Sequence, residues 1–186
     1  MAMRTYVRAV VRDRSRKVIR DTGWRRTNTL VSNFFAAMRA LLAASDTSVV
    51  EVGGTTFTLK GACPASGPYM NALADAGVDG YGLVVGTGTK SPTRDDYKLE
   101  SKIPHGTGSG RLTYGGSDVF YGDDYVEVRR SFGNSSGADI TINEVGIVVQ
   151  YYPSGGSEHL FLIARSLFTV TIPDGGSATL YYRIQG

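Results

Sequence analysis

The side chains able to do chemistry are few and scattered. Two adjacent carboxylate pairs, Asp95-Asp96 and Asp123-Asp124, sit in polar, turn-rich stretches. Calcium takes oxygen ligands from such loops, but neither pair has the spaced Asp-x-Asp-x-Asp-Gly pattern, so both are expected to be solvated. The two carboxylates of a glycosidase need only meet in space, and nothing in the sequence selects such a pair. His105 and His159 lie far apart beside turns. With the distant Cys63 they make neither a zinc pattern nor a triad, so loop or rim positions are expected. Cys63 is the one cysteine and has no partner for an internal disulfide. It reads as a small buried or loop residue in a reducing setting. Gly86-Thr87-Gly88-Thr89 resembles part of a phosphate cradle, but Lys90-Ser91-Pro92-Thr93 follows. The Gly-Lys-Ser/Thr ending of a P-loop is missing, as is the third Gly of a dinucleotide turn. A structural loop is expected there, with Asp95 or Asp96 capping a single helical turn through Leu99. No catalytic residue, metal or cofactor is therefore assigned.

Glu144 and Arg165 are a different case. Each interrupts an apolar strand of one long hairpin, Ile140 to Tyr152 and Leu160 to Ile172. A turn centred near Gly155 sets position 144 opposite 166 and so brings Arg165 near Glu144. A charge in a core-facing strand needs a partner, and a structural ion pair is expected.

Charge is distributed unevenly. Residues 1–39 carry ten cationic side chains against Asp13 and Asp21, a balance of +8. The whole chain has a net charge of +3, so the remainder carries −5. A basic end on an acidic body predicts head-to-tail contact between subunits or an anionic partner. Arg4, Arg8, Arg12, Arg14, Arg16, Lys17, Arg20, Arg25 and Arg26 form the candidate docking segment. Nucleic acid is the less favoured partner, because only Tyr6 and Trp24 offer stacking there and no nucleic-acid motif is present.

These residues must be positioned by strands. The 186 residues suit one compact domain, and 24 Gly with 11 Tyr suggest short strands and tight turns. Tyr6 to Arg12 alternates, with Val7, Ala9 and Val11 on one face. The run Arg14-Ser15-Arg16-Lys17 is a turn into a second strand at Val18-Ile19. A helix capped by Thr27 or Asn28 follows, with Leu30, Val31, Phe34, Phe35, Met38, Leu41 and Leu42 as its apolar stripe, ending near Ala44. The stripe is expected to pack on a sheet. From Val49 the pattern is β: hairpins at Val49–Leu59 and Ile140–Ile172, short strands at Tyr81–Val85, Arg111–Tyr114, Val119–Tyr121 and Tyr125–Phe132, and Ala178–Ile184 closing a three-stranded meander. The fold class is mainly β, an antiparallel β-sandwich of jelly-roll-like form with one N-terminal α-helix. Residues 1–48 are expected to form a basic hairpin and helix, and 49–186 the sandwich. The basic start has no apolar h-region, and no apolar stretch approaches the about 20 residues needed to span a bilayer, so no signal peptide and no membrane are expected.

Three segments resemble virion structural proteins of tailed bacteriophages and related archaeal viruses. The first is Leu83-Val84-Val85-Gly86-Thr87-Gly88-Thr89-Lys90-Ser91-Pro92-Thr93 with Asp95-Asp96 and Leu99. The second is Arg130-Ser131-Phe132-Gly133-Asn134 with Ile140-Thr141-Ile142-Asn143-Glu144-Val145-Gly146. The third is Leu162-Ile163-Ala164-Arg165 with Phe168 and Val170-Thr171-Ile172-Pro173-Asp174-Gly175-Gly176. Thr27-Asn28-Thr29-Leu30 and Asn33-Phe34 are similar to the start of a helix in such chains. The resemblance implies a non-enzymatic particle component, made in the host cytoplasm, at a head decoration, vertex, neck or tail position. Its partners would be copies of itself, as a homo-oligomer, and other virion proteins. A viral glycan- or receptor-binding module is the alternative, with Tyr69, Tyr81, Tyr114, Tyr121 and Tyr125 as stacking platforms. A polysaccharide hydrolase ranks below it.

Overall fold

A computed structural model describes residues 3–27, 29–61, 69–153 and 156–186. The chain is mainly β, with antiparallel sheets and one short helix. In order, the elements are β1 (Arg4–Arg12), β2 (Val18–Asp21), β3 (Arg25–Thr27), α1 (Ser32–Ala43), β4 (Thr47–Val50), β5 (Thr56–Leu59), β6 (Tyr69–Asn71), β7 (Gly82–Gly86), β8 (Thr113–Tyr121), β9 (Tyr125–Gly133), β10 (Ile140–Tyr152), β11 (His159–Ile172) and β12 (Ser177–Gln185). Cys63, Asn28 and the turn around Gly155 lie outside the described residues.

The larger sheet runs β2-β1-β12-β9-β8, with β3 beside β2 on the same flank of β1. The smaller has β11-β10 with β6 and β7 both on β10. Their facing sides share one core, built from alternating residues such as Val7, Ala9 and Val11 of β1 and Ala178, Leu180 and Tyr182 of β12. The Tyr182 hydroxyl meets Ser166 Oγ of β11 at 2.7 Å, closing the contact between sheets with a satisfied polar pair. β1 pairs with β12 along its full length, from Arg4↔Gln185 to Arg12↔Ser177. The basic segment is thus knit into the same sheet as β8, β9 and β12.

Several local expectations change. β12 does not pair with β11 to complete a meander; it crosses to the other sheet and lies between β1 and β9. The turn Pro173 to Gly176 therefore bridges the two sheets. Asn134, fully buried at the matching β9-to-β10 crossover, fixes it. Its side-chain amide donates to the Ala138 and Ile172 carbonyls at 2.8 and 2.9 Å. Its backbone exchanges hydrogen bonds with Gly175 and Gly176. The two short strands expected at 111–121 are one strand, β8, bent by a bulge between Tyr114 and Ser117. Gly115 is required there, because a Cβ would lie 2.2 Å from Ser131 Oγ.

The helix begins at Ser32, and Val31 at its N-cap makes no side-chain cap. Thr27 belongs instead to β3, where its hydroxyl meets that of Thr5. Two of the free N–H groups at the helix start find tertiary partners, Val31 N–H to Ile163 O and Ser32 N–H to Arg94 O. The buried face is Asn33, Phe34, Ala37 and Ala40, narrower than the expected stripe. Asn33 grips Val50 of β4 through both its N–H and its carbonyl. The small residues Ala37 and Ala40 let the helix lie close on β4 and β11, which turns Phe35, Leu41 and Leu42 outward.

Asn134→Ala takes the side-chain donor from the buried Ile172 carbonyl, whereas the exposed Ala138 carbonyl keeps the Ser136 hydroxyl, and such a buried loss costs about 1–3 kcal/mol. The expected outcome is a fall of about 1–3 kcal/mol in unfolding free energy, read from the urea midpoint at unchanged slope.

Candidate functional site

Sequence spacing brought Glu144 and Arg165 to one hairpin, and two bulges refine the register. Near the turn Gln150 faces Leu160; past Ile147 the pairing slips by one residue, so that Gly146 faces Arg165 and Glu144 faces Leu167. Both side chains point to the outer face of the smaller sheet and are covered by the loop that follows β7. Arg165 Nε donates to Glu144 Oε2 at 2.8 Å, with both residues almost wholly buried. Arg165 Nη1 donates to Asp96 Oδ2 at 2.6 Å, and Nη2 donates to Lys90 O at 3.0 Å. Glu144 accepts three backbone N–H groups besides, from Gly88, Glu100 and Ser101. The Gly-Thr-Gly-Thr loop is thus a cradle, but for the protein's own carboxylate. Gly86 and Gly88 are small because a Cβ on either would sit 2.5 Å from Glu144 Oε1.

Asp96 caps no helical turn. Its carboxylate accepts the Thr93 N–H and hydroxyl and pairs with Arg165. Burial acts to raise its pKa, but the bonds from Thr93 and Arg165 outweigh that and hold it below the ordinary value. An open cleft of about 450 Å³ reaches this network, lined by Asp95, Asp96, Glu100, Lys90 and Lys98 among others. Its central carboxylate is engaged and held ionised, the reverse of what a glycosidase general acid needs.

A second buried arginine escaped the sequence reading. Arg130 of β9 occupies an inward position between Val128 and Phe132. A guanidinium has five N–H donors, and here all five reach backbone carbonyls. Nε donates to Gly115; Nη1 to Tyr81 and Leu83; Nη2 to Asp75 and Val78. Its ring neighbour is Tyr114, whose centroid is 4.8 Å away. Burial lowers the Arg130 pKa from its usual value. The break in apolar alternation along Val126, Val128, Arg130 and Phe132 is the signal that marks it.

The candidate docking residues surround a different surface, the outer face of the larger sheet. Register aligns two rows across it. One is Arg8, Tyr181, Arg129 and Asp118; the other is Arg26, Tyr6, Arg183, Glu127 and Phe120. Arg183 pairs with Glu127 at 2.8 Å and lies over Trp24 and Tyr125, 4.2 and 4.0 Å from their centroids. Arg129 lies over Phe120 at 4.1 Å and approaches Asp118 at 3.7 Å. Arg8 holds Asp21 by two bonds, which keep the Asp21 carboxyl at about 2. The result is a lattice of cations on rings, rigid and half-exposed.

Comparison with protein-family models, curated proteins and solved structures finds no match.

Of the docking residues, Arg8 is therefore spent within the sheet, and Arg14 reaches Asp174 at 3.9 Å. Among the described residues, Arg4, Arg12, Arg16, Lys17, Arg20, Arg25 and Arg26 make no ion pair. Arg16, Lys17, Arg20, Arg25 and Arg26 are exposed along the free β2–β3 flank. Of the five tyrosines, Tyr114 is buried with its hydroxyl on Ile103 O, and Tyr125 lies under Arg183. Tyr81 is half-buried, and Tyr121 is 81% exposed. The side chain of Tyr69 lies outside the described residues. His105 accepts the Tyr114 N–H through Nδ1, and His159 meets Glu51 at 3.0 Å while stacking on Phe57. Among the described residues no three His, Cys, Asp or Glu cluster as a metal site, and no helix is long and apolar enough to cross a membrane. An apolar cavity of about 460 Å³ opens between the sheets, lined by Met70, Leu73, Val126, Ile147, Ile163 and Ile184 among others, with no titratable side chain in its wall among the described residues.

Arg165→Leu strands Glu144 as a buried, uncompensated charge, so it should cost about 3–5 kcal/mol. The Arg165→Leu/Glu144→Leu double variant should recover part of that loss, a coupling read from chemical denaturation. Because the folded Asp96 pKa is depressed, its stabilisation is complete above the ordinary value of 3.8 and is lost as pH falls through that region. Wild-type Tm should accordingly drop more steeply below pH 4 than that of Asp96→Asn.

Proposed function

We propose that the chain is a non-enzymatic structural component of a viral particle, assembling with itself or with other virion proteins at a capsid decoration, vertex, neck or tail position. The observation that carries this reading is the fate of the three virion-like segments. They supply Gly88, Asp96, Arg130, Asn134, Glu144 and Arg165, and every one of these is spent on internal hydrogen bonds. The polar chemistry of those motifs thus serves rigidity, and what the molecule offers outward is a cationic-aromatic sheet face with two free edges. A rigid sandwich presenting such surfaces suits repeated protein–protein contact, where Arg and aromatic residues are enriched. The engaged state of Asp96 also speaks against the hydrolase reading.

The exposed Tyr121 favours one second reading, a viral glycan- or receptor-binding module. Specific signal on a glycan array that disappears in Tyr121→Ala would move that reading to first place.

The structural reading is tested on particles. Antibodies against the purified chain should decorate banded virions in electron micrographs, and the chain should co-sediment with them in fixed stoichiometry. Recovery of the chain only in the soluble fraction of an infected lysate would sink the proposal.

A further inference from the structure

The two flanks of the larger sheet differ in a way that selects a partner. On one flank, among the described residues, β2 and β3 leave their outer backbone edge unpaired, since both pair only with β1. All four residues of β2 are exposed, including Val18 and Ile19. Around them stand Arg20, Arg25 and Arg26, none in an ion pair. On the opposite flank, among the described residues, β8 pairs only with β9. Its first half is partly covered, through Tyr114 O to the Gly77 N–H and Ser117 N–H to Ala74 O. Its second half, residues 118–121, is open and ends in an acidic turn. Asp118, Asp123 and Asp124 are exposed there beside Phe120 and Tyr121.

An open edge is a template for another strand. Here each edge carries an excess of one sign of charge, since Asp21 of β2 is held by Arg8, and a pair of exposed apolar side chains. Joining like edges through a two-fold axis would set Arg25 and Arg26, or Asp118, against their own copies, and like charges so placed are repulsive. Joining unlike edges removes that repulsion and aligns attraction. We propose that a second copy of this chain docks its β8 edge on the β2–β3 edge of the first, continuing the sheet head to tail. This rests on the self-assembly reading above and specifies its contact.

The strand directions add a geometric consequence. Strands alternate from β8 through β9, β12 and β1 to β2, every neighbouring pair being antiparallel. β8 and β2 therefore run the same way. Copies arranged around an axis along the strands pair these edges in parallel and form a ring where the rotation closes, or a filament where it does not.

Charge exchange tests the contact. In sedimentation velocity over a concentration series, wild-type protein should exceed the 19.9 kDa of the monomer. Asp123→Lys/Asp124→Lys and Arg25→Glu/Arg26→Glu should each associate more than about tenfold more weakly, with unchanged melting curves. An equimolar mixture of the two variants should regain association, because every junction in an alternating array then joins opposite charges. Undiminished association of both variants, or a mixture that stays monomeric, overturns the edge contact while leaving self-assembly in place. A wild type that is monomeric throughout overturns the contact and self-association together. Should either variant fail to fold, hydrogen exchange on wild-type protein decides: amides of β2, β3 and residues 118–121 gain protection as concentration rises, and unchanged protection refutes the proposal.

Discussion

The structure depends on one buried charge being fully answered. Glu144 sits at the middle of β10, where an ionised carboxylate without partners would cost several kcal/mol. Arg165 on the neighbouring strand and three backbone N–H groups from the covering loop neutralise it. That requirement explains much of the chain around it. The loop after β7 needs Gly86 and Gly88 to come close enough, Asp96 and the Lys90 carbonyl to accept from the two terminal nitrogens of the arginine, and a bulge in β10–β11 to bring the two side chains to one face. Arg130 solves the complementary problem on the inner side of the larger sheet. It is a buried cation with no carboxylate bonded to it among the described residues, answered by the Gly115 carbonyl and by four more that fold residues 75–83 against β9.

The two arginines act on different layers. Arg165 fastens the outer loop to the smaller sheet, and Arg130 fastens the β7 approach to the larger one. Asn134 does the same at the corner where both crossovers pass. These three side chains and their backbone partners leave the outer face of the larger sheet free of any structural duty to a third layer. That face can therefore be devoted to stacked arginines and rings, and its flanks to opposite charge.

Much of this was legible in the sequence, for reasons that can be named. Period-two alternation marked β1, since a half-buried strand must alternate, and long apolar runs flanking a Gly-rich turn marked β10 and β11. Charges interrupting long apolar strands marked Glu144 and Arg165. Strand partnership was not legible: β12 follows β11 through a tight turn, yet the same turn residues serve a crossover between sheets, and only the Asn134 contacts decide between the two. The helix was found, but its buried face was misjudged. Hydrophobicity counts Phe35, Leu41 and Leu42 as core, whereas close approach selects Ala37 and Ala40. Arg130 interrupts the inward apolar positions of β9, but its carbonyl partners carry no side-chain signature, so its role was not legible. The charge asymmetry between the N-terminal segment and the rest was plain, but its resolution into two edges of one sheet needed the strand order.

The pairing of β1 with β12 has a consequence for how the molecule is made. β1 has its long partner in β12, more than 160 residues later in the chain, so the larger sheet cannot be completed until β12 has been synthesised. Until β12 is made, β1 lacks its central neighbour and the basic edge has no finished sheet behind it. Under the edge contact proposed above, competence to join would therefore arrive only once β12 is in place. The same adjacency places the ends of the two strands side by side, so that a short linker from β12 to β1, with new ends opened in the exposed Asp123-Asp124 turn, would preserve the sheet in a circularly permuted chain.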